Sequence, residues 1–398
     1  MIYEAIDIFT FNTGYNTSVV ISGVICIGIG GGVIGALCLL RKRSLVAEAI
    51  SHATLPGVAL AFLAGIAFGG TGKNLVLLTL GATLTGAIGL VCVQWIRDKT
   101  RLPEDTAIGT VLSVSFGLGV VLLSYIQTLQ NSAQAGLNSF LLGSAASLTS
   151  GETYLIAIVS AATVGVALIF VKELRAVAFD ESFAVSQGWN IFRLDLLLLG
   201  LLLVIISIGL KTVGLVLIVA LVIIPPAAAR FWTNRLNKMI VFSGLFGGLA
   251  GWIGGSLSAL YPKMPAGAVI ILVAASIFLL SFLIAPNRGI IVWLVRQQRL
   301  RIYARKTRIL INLGEGNPLP EILDRIMARV YGYIRGDGNI TVFGKLKVNS
   351  FYRQQKLWEL YKKQHPHEKL CFNPLNGKRI EDTVATEVIT DLEKKLND

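Results

Sequence analysis

The chain has 398 residues, of which 54% are hydrophobic and only 15% charged, with a formal net charge of +13. That balance excludes an ordinary soluble domain and fits a chain that crosses a membrane several times. The charge is uneven: residues 1–286 hold 15 Lys and Arg against 11 Asp and Glu, and residues 287–398 hold 21 against 12. Four cysteines, Cys26, Cys38, Cys92 and Cys371, show neither a disulfide framework nor a zinc-knuckle spacing, and the first three read as packing residues in apolar runs.

The N-terminal stretch MIYEAIDIFTFNTG has no basic segment before an apolar core and does not read as a secretory signal. Nine apolar runs follow, near 19–40, 45–66, 75–96, 107–126, 153–171, 195–210, 212–229, 239–260 and 266–285. Each approaches the length needed to span roughly 30 Å of hydrocarbon. The predicted fold class is therefore an all-α polytopic membrane protein with about nine transmembrane helices. Alternate connections carry three basic residues each: Arg41, Lys42 and Arg43; Arg97, Lys99 and Arg101; Lys172, Arg175 and Arg193; Arg230, Arg235 and Lys238. The remaining connections carry Lys73, Lys211 and Lys263 singly, or none. This asymmetry places the triplets in the cytoplasm, the N-terminus outside and the chain beyond Arg288 inside.

Two glycine motifs are decoys. Gly30 to Gly35 matches G-x-G-x-x-G but lies within the first run with no strand before it, so it is no dinucleotide loop. Gly28, Gly31, Gly32 and Gly35 read instead as small residues that let helices approach closely. GGTGKN at 69–74 lacks the first glycine and the final Ser or Thr of a phosphate loop, so the chain carries no ATPase motif of its own.

The second run opens with an ionisable pair, Glu48 and His52, at i and i+4 and so on one helical face. His52 is the sole histidine of the first 286 residues. Pro56 has no N–H to give the His52 carbonyl, which is left free beside the imidazole. A structural hydrogen bond is the plain reading of such a pair. A ligand pair lining an ion path is the functional one, because ionisable groups at membrane depth mark pathways. Carboxylate, imidazole and carbonyl together suit manganese, iron or zinc.

Further along, AFDESFAVSQGW (178–189) reads as a short loop helix, capped by Asp180 and ended by Gly188, with Phe183, Ala184 and Gln187 on one face. Pro225 and Pro226 predict a kink or break near Leu221 and Val222 in the seventh run, either static or a hinge. Residues 287–312 are basic and read as a membrane-proximal amphipathic linker. Residues 313–398 read as a small cytoplasmic α+β module: a helix with Ile322, Ile326, Val330 and Tyr333 at helical spacing, a turn–strand–turn over RGDGNITVFGKL, a helix over SFYRQQKLWELYKK, and a last helix with Val384, Val388, Leu392 and Leu396 on one stripe. Ile322, Ile326, Trp358, Val388 and Leu392 are its candidate core.

The stretch SLVAEAISHATLPGVALAFL (44–63) resembles the signature of the permease subunits of ABC importers for zinc, manganese or iron. The likeness continues, in order, through EDTAIGTVLSVSFGLGVVLL, SFLLGSAASLTSGE, ELRAVAFDESFAVSQGWN, KTVGLVLIVALVIIPPAAAR and MPAGAVIILVAASIFLLSFLIAP, and so covers nearly all of 19–286. One departure is that the family usually has Asp where this chain has Glu48. The resemblance implies a non-enzymatic transmembrane permease domain over 1–286 in a bacterial inner membrane. It implies no permanently bound cofactor, the divalent metal being the substrate. The implied partners are a separate ATPase subunit, an extracytoplasmic metal-binding protein and a second permease, identical or paralogous, as well as the membrane itself; nucleic acid is not expected. Glu48 and His52 would contact the ion, giving four ligands from a dimer. Phe179, Asp180, Glu181, Phe183, Ala184, Gln187 and Gly188 would form the ATPase-coupling element, and Pro56, Pro225 and Pro226 would mark the gating kinks. The tail resembles, partially, the winged helix of diphtheria-toxin-repressor-type metalloregulators. Its ligand positions hold Lys378, Glu381 and Asp382, which implies that this metal site is lost; His365 and His367 remain a weak alternative. A proton-coupled secondary carrier and a membrane-tethered metal-responsive regulator are the rival functions.

Overall fold

In the computed structural model of the chain, residues 7–10, 14–69, 75–128, 148–261, 264–319, 321–364, 380–382, 384 and 386–397 are described. Lys73, Lys263, residues 129–147 (which include the start of SFLLGSAASLTSGE), His365, His367, Cys371 and Lys378 lie outside the described residues. The chain divides into two compact units, Met1–Ile290 and Ile291–Asp398.

The first unit is built from α1 (Tyr15–Leu40), α2 (Val46–Ala67), α3 (Leu75–Lys99), α4 (Glu104–Thr128), α5 (Ser150–Ile169), α6 (Val171–Phe179), α7 (Glu181–Ser186), α8 (Ile191–Val213), α9 (Leu215–Trp232), α10 (Leu236–Leu260) and α11 (Ala266–Ile284). Among the described residues eight of these are long and apolar enough to cross a bilayer, and α9 is a shorter apolar helix. The multi-pass α-helical expectation therefore holds. The break between the sixth and seventh runs does not fall at Lys211. It falls at Gly214, whose φ of +92° is open to glycine and costly for other residues.

Helix α1 forms the centre of this unit, packed against α10, α9, α5 and α8, while α2 packs against α3 and α4. Its glycines explain how. A methyl group built at Gly28 would overlap the Gly247 carbonyl of α10, and one built at Gly35 would overlap the Val222 carbonyl of α9. Between them, the Ser243 hydroxyl donates to the Gly32 carbonyl at 2.6 Å. In lipid, where helices gain no hydrophobic drive to associate, close backbone approach and such polar contacts hold them together. Helix α9 runs unbroken through Pro225 and Pro226, so of the kink or break expected near Leu221 and Val222 the break is absent. The carbonyls that the prolines leave without donors are those same two residues'. They face α1, with Leu221 near Gly31 and Val222 against Gly35.

The second unit holds most of α12 (Ile290–Gly314), then α13 (Ile322–Val330), α14 (Val342–Gln364), a 3₁₀ turn at Ile380–Asp382 and α15 (Thr386–Asn397). Its apolar residues gather in two small clusters, one around Ile309, Ala328, Tyr333 and Val348, the other around Leu357, Trp358, Ile389 and Leu392. The α+β winged-helix expectation is not supported. Among the described residues there is no strand, only an isolated antiparallel bridge between Ile334 and Ile340. The β-branched run Ile340-Thr341-Val342 suggested a wing, but Thr341 caps a helix instead: its hydroxyl accepts from the Gly344 N–H at 2.9 Å. Ile322, Ile326 and Val330 are also not core, being 76%, 51% and 79% exposed. Helix α13 turns its Asp324–Ala328 face inward, because Ala328 is small enough for close approach.

Candidate functional site

The turn from α1 to α2 is tight. Lys42 sits in the left-handed region with φ +61°, and the Arg43 N–H returns to the Cys38 carbonyl at 2.8 Å. Helix α2 starts directly afterwards. Ala49, Ile50 and Ala53 are buried within the unit, whereas Glu48 is exposed and His52 half-buried. The His52 ring meets Phe116 of α4 edge-to-face, with centroids 5.3 Å apart, and its Nδ1 is buried with no protein partner. Further up the helix Pro56 packs beside Gly119 of α4. Glu48 thus faces away from the protomer's core, while His52, one turn on, is partly covered by α4. No group of three or more His, Cys, Asp or Glu side chains is gathered for a metal among the described residues.

At the end of the bundle that carries the basic triplets, α6 and α7 form a short exposed hairpin. Asp180 caps α7 by accepting from the Phe183 N–H at 3.0 Å. Gly188, at φ +81°, ends it, and the Trp189 N–H folds back to the Ala184 carbonyl. Phe179, Phe183 and Val185 are 66%, 51% and 58% exposed, and Gln187 is exposed with them. Ala184 is fully buried and does not share their face, a correction to the spacing argument. In a six-residue helix the inward position falls to the smallest side chain.

Sequence reading missed the third feature. Asp195, one turn into α8, is only 2% exposed. It accepts from Arg41 Nε at 2.9 Å and Nη2 at 3.1 Å, and from Arg43 Nη2 at 2.7 Å, with Arg97 Nη1 at 3.8 Å. Arg41 also donates to the Val177 carbonyl at 3.2 Å and bonds Glu181 of α7. Arg43 lies 3.6 Å from Glu104 of α4. Burial disfavours the Arg41 charge, but the hydrogen bonds to Asp195 and Glu181 outweigh it and hold the guanidinium protonated more firmly than a free one. A signal was present: a carboxylate followed directly by four leucines is as costly as Glu48 and had to find cations.

A model of the ABC 3 transport family matches residues 15–285. The chain belongs to that family. The chain is 42% identical over 300 residues to the manganese transport system membrane protein MntC of Bacillus subtilis, covering 75% of this chain and 68% of that one. It is 37% identical to the zinc transport system membrane protein TroC of Treponema pallidum, covering 72% and 95%. Among solved structures, PsaBC from Streptococcus pneumoniae in complex with a Fab has 32% identity and a TM-score of 0.61, covering 72% of this chain and 98% of that one. As a member of the family the chain is a transport permease rather than an enzyme. Neither relative's name mentions iron, and the family match ends at residue 285, before the stretch that resembles a winged helix.

Proposed function

We propose that this chain is the membrane permease subunit of a binding-protein-dependent ABC importer for a divalent transition metal, manganese or zinc, powered by a separate ATPase. The observation that carries the reading is the placement of Glu48 and His52. On α2 the Glu48 carboxylate is exposed, and one turn on the half-buried His52 imidazole keeps an Nδ1 with no protein partner. Inside a bilayer such groups must face a path or a partner. Two protomers related about a central path supply two carboxylates and two imidazoles, a donor set suited to manganese or zinc. The exposed aromatic hairpin α6–α7 is the docking element for the ATPase, on the cytoplasmic side that the basic triplets define.

The test is metal uptake by vesicles containing the permease, its ATPase and its binding protein. Glu48→Gln and His52→Ala each abolish most uptake while leaving the complex assembled, and Glu48→Asp retains it. Wild-type uptake by both of the first two variants refutes the path. Because the prediction holds without a proton gradient, the same assay with an uncoupler separates this function from a proton-coupled carrier.

A further inference from the structure

The buried Asp195 cluster does more than neutralise charge, because its members come from every element that a coupling stroke must connect. Arg41 is gripped at two ends. One end is bidentate on Asp195, and the other holds the Val177 carbonyl of α6 and the Glu181 carboxylate of α7. Two residues on, Arg43 binds the same Asp195 and approaches Glu104. From Arg43 a hydrogen-bonded turn leads directly into α2 at Val46. The Val46 N–H reaches the Arg43 carbonyl at 3.2 Å and the Glu48 N–H reaches the Leu45 carbonyl at 3.1 Å. Four residues of hydrogen-bonded chain therefore separate Arg43 from Glu48. Beside it opens a cavity of about 520 Å³, lined in part by Lys42, Arg97, Ala178 and Ile191, which leaves Arg41 room to swing.

We infer that Arg41 and Asp195 are positioning residues for transport: they transmit displacement of the α6–α7 hairpin to the first turn of α2, and so to Glu48 and His52. The inference rests on the reading of α7 as the ATPase-docking element. Arginine suits the task because its planar fork holds three acceptors at fixed angles, whereas a lysine ammonium is a point charge on a flexible stem. A pull on Glu181 or Val177 is thereby conveyed to Asp195 and the α1–α2 turn together.

The test uses the assembled transporter in vesicles and reads three quantities: ATPase retained on co-purification, ATP hydrolysed, and metal imported. In Arg41→Lys the charge stays and the ATPase remains bound and active, but metal imported per ATP falls about tenfold, the size of a typical coupling between two sites. Asp195→Asn gives the same fall. Lys42→Gln, in the same turn but outside the link, keeps the wild-type ratio. If Asp195→Asn fails to accumulate, Arg41→Lys alone decides. A wild-type ratio in Arg41→Lys overturns the inference. So does a parallel fall of hydrolysis and uptake with the ratio unchanged, which is the mark of a merely structural role. The docking reading fails separately, if the ATPase stays bound when Asp180 and Phe183 are altered.

Discussion

Gly35 lets the molecule test its own packing. Replacing it by Ala adds one methyl group, which would meet the Val222 carbonyl of α9 and lie 2.9 Å from Pro226 Cγ. The first obstacle is backbone, held in a proline-containing helix, so nothing can rotate aside and α1 must part from α9. Overpacking of this kind costs about 1–3 kcal/mol, and a rigid neighbour puts it near the upper end. Ala also gains about 1 kcal/mol over Gly in a helix. Gly165 of α5 is an internal control, since a Cβ there meets nothing within 4 Å and receives only the propensity gain. Gly35→Ala is therefore expected to be about 3 kcal/mol less stable than Gly165→Ala, the contact cost being the difference between them. The assay is the midpoint of SDS-induced unfolding of the purified protein in mixed micelles, followed by tryptophan fluorescence. Equal midpoints for the two variants would refute the close approach of α1 and α9.

Asp180→Lys with Phe183→Ala removes the cap of α7 and its exposed ring, and should release the ATPase on purification in detergent; full retention would place docking elsewhere. Thr341→Ala deletes the hydroxyl that caps α14 and should lower the thermal midpoint of the unit beyond Ile291 by about 1 kcal/mol equivalent, read by circular dichroism. Asp324 is fully buried with neither carboxylate oxygen partnered. Removing those unpartnered oxygens with Asp324→Ala should raise the same midpoint, and a fall would mean that the carboxyl group has a favourable role there.

The bundle was legible because the bilayer simplifies its own code. An apolar run must become a helix if its backbone groups are to be satisfied in hydrocarbon, so length and composition alone located the spans. The glycines of α1 were legible as contact residues for the same reason, since only small side chains let helices touch there. Glu48 and His52 stood out because a charge in such a run is rare. Asp195 obeys that rule equally, but its position two residues from Arg193 made it look like the polar edge of a loop. The helix in fact begins at Ile191, capped by the Asn190 side chain, which accepts from the Arg193 N–H at 3.2 Å. Moving the start four residues back turns Asp195 from a boundary residue into a buried one. Its partners are 98 to 154 positions away in sequence, and no local pattern joins them.

The second unit follows different rules, and there periodicity misled. In water a helix is placed by its caps as well as by its stripe, and Thr341 outweighed the β-branched residues around it. On α13 the apolar stripe was found correctly but assigned to the wrong side. Periodicity identifies which residues share a face; it carries no information about what covers that face. Ala328 is buried because its small side chain permits approach, and Asp324, one turn earlier on the same face, goes in with it. Ile322, Ile326 and Val330 are left outward, together with Val342, Phe343 and Leu346 at the start of α14, all at least half exposed. The same asymmetry distinguishes the two units' surfaces: exposed Leu and Val on α3 to α5 are solvated by lipid tails, whereas on α13 and α14 they face whatever medium surrounds the tail. In the first unit an outward apolar residue satisfies the rule that placed the helix; in the second it contradicts that rule, and the burial of Asp324 contradicts it again from the inside.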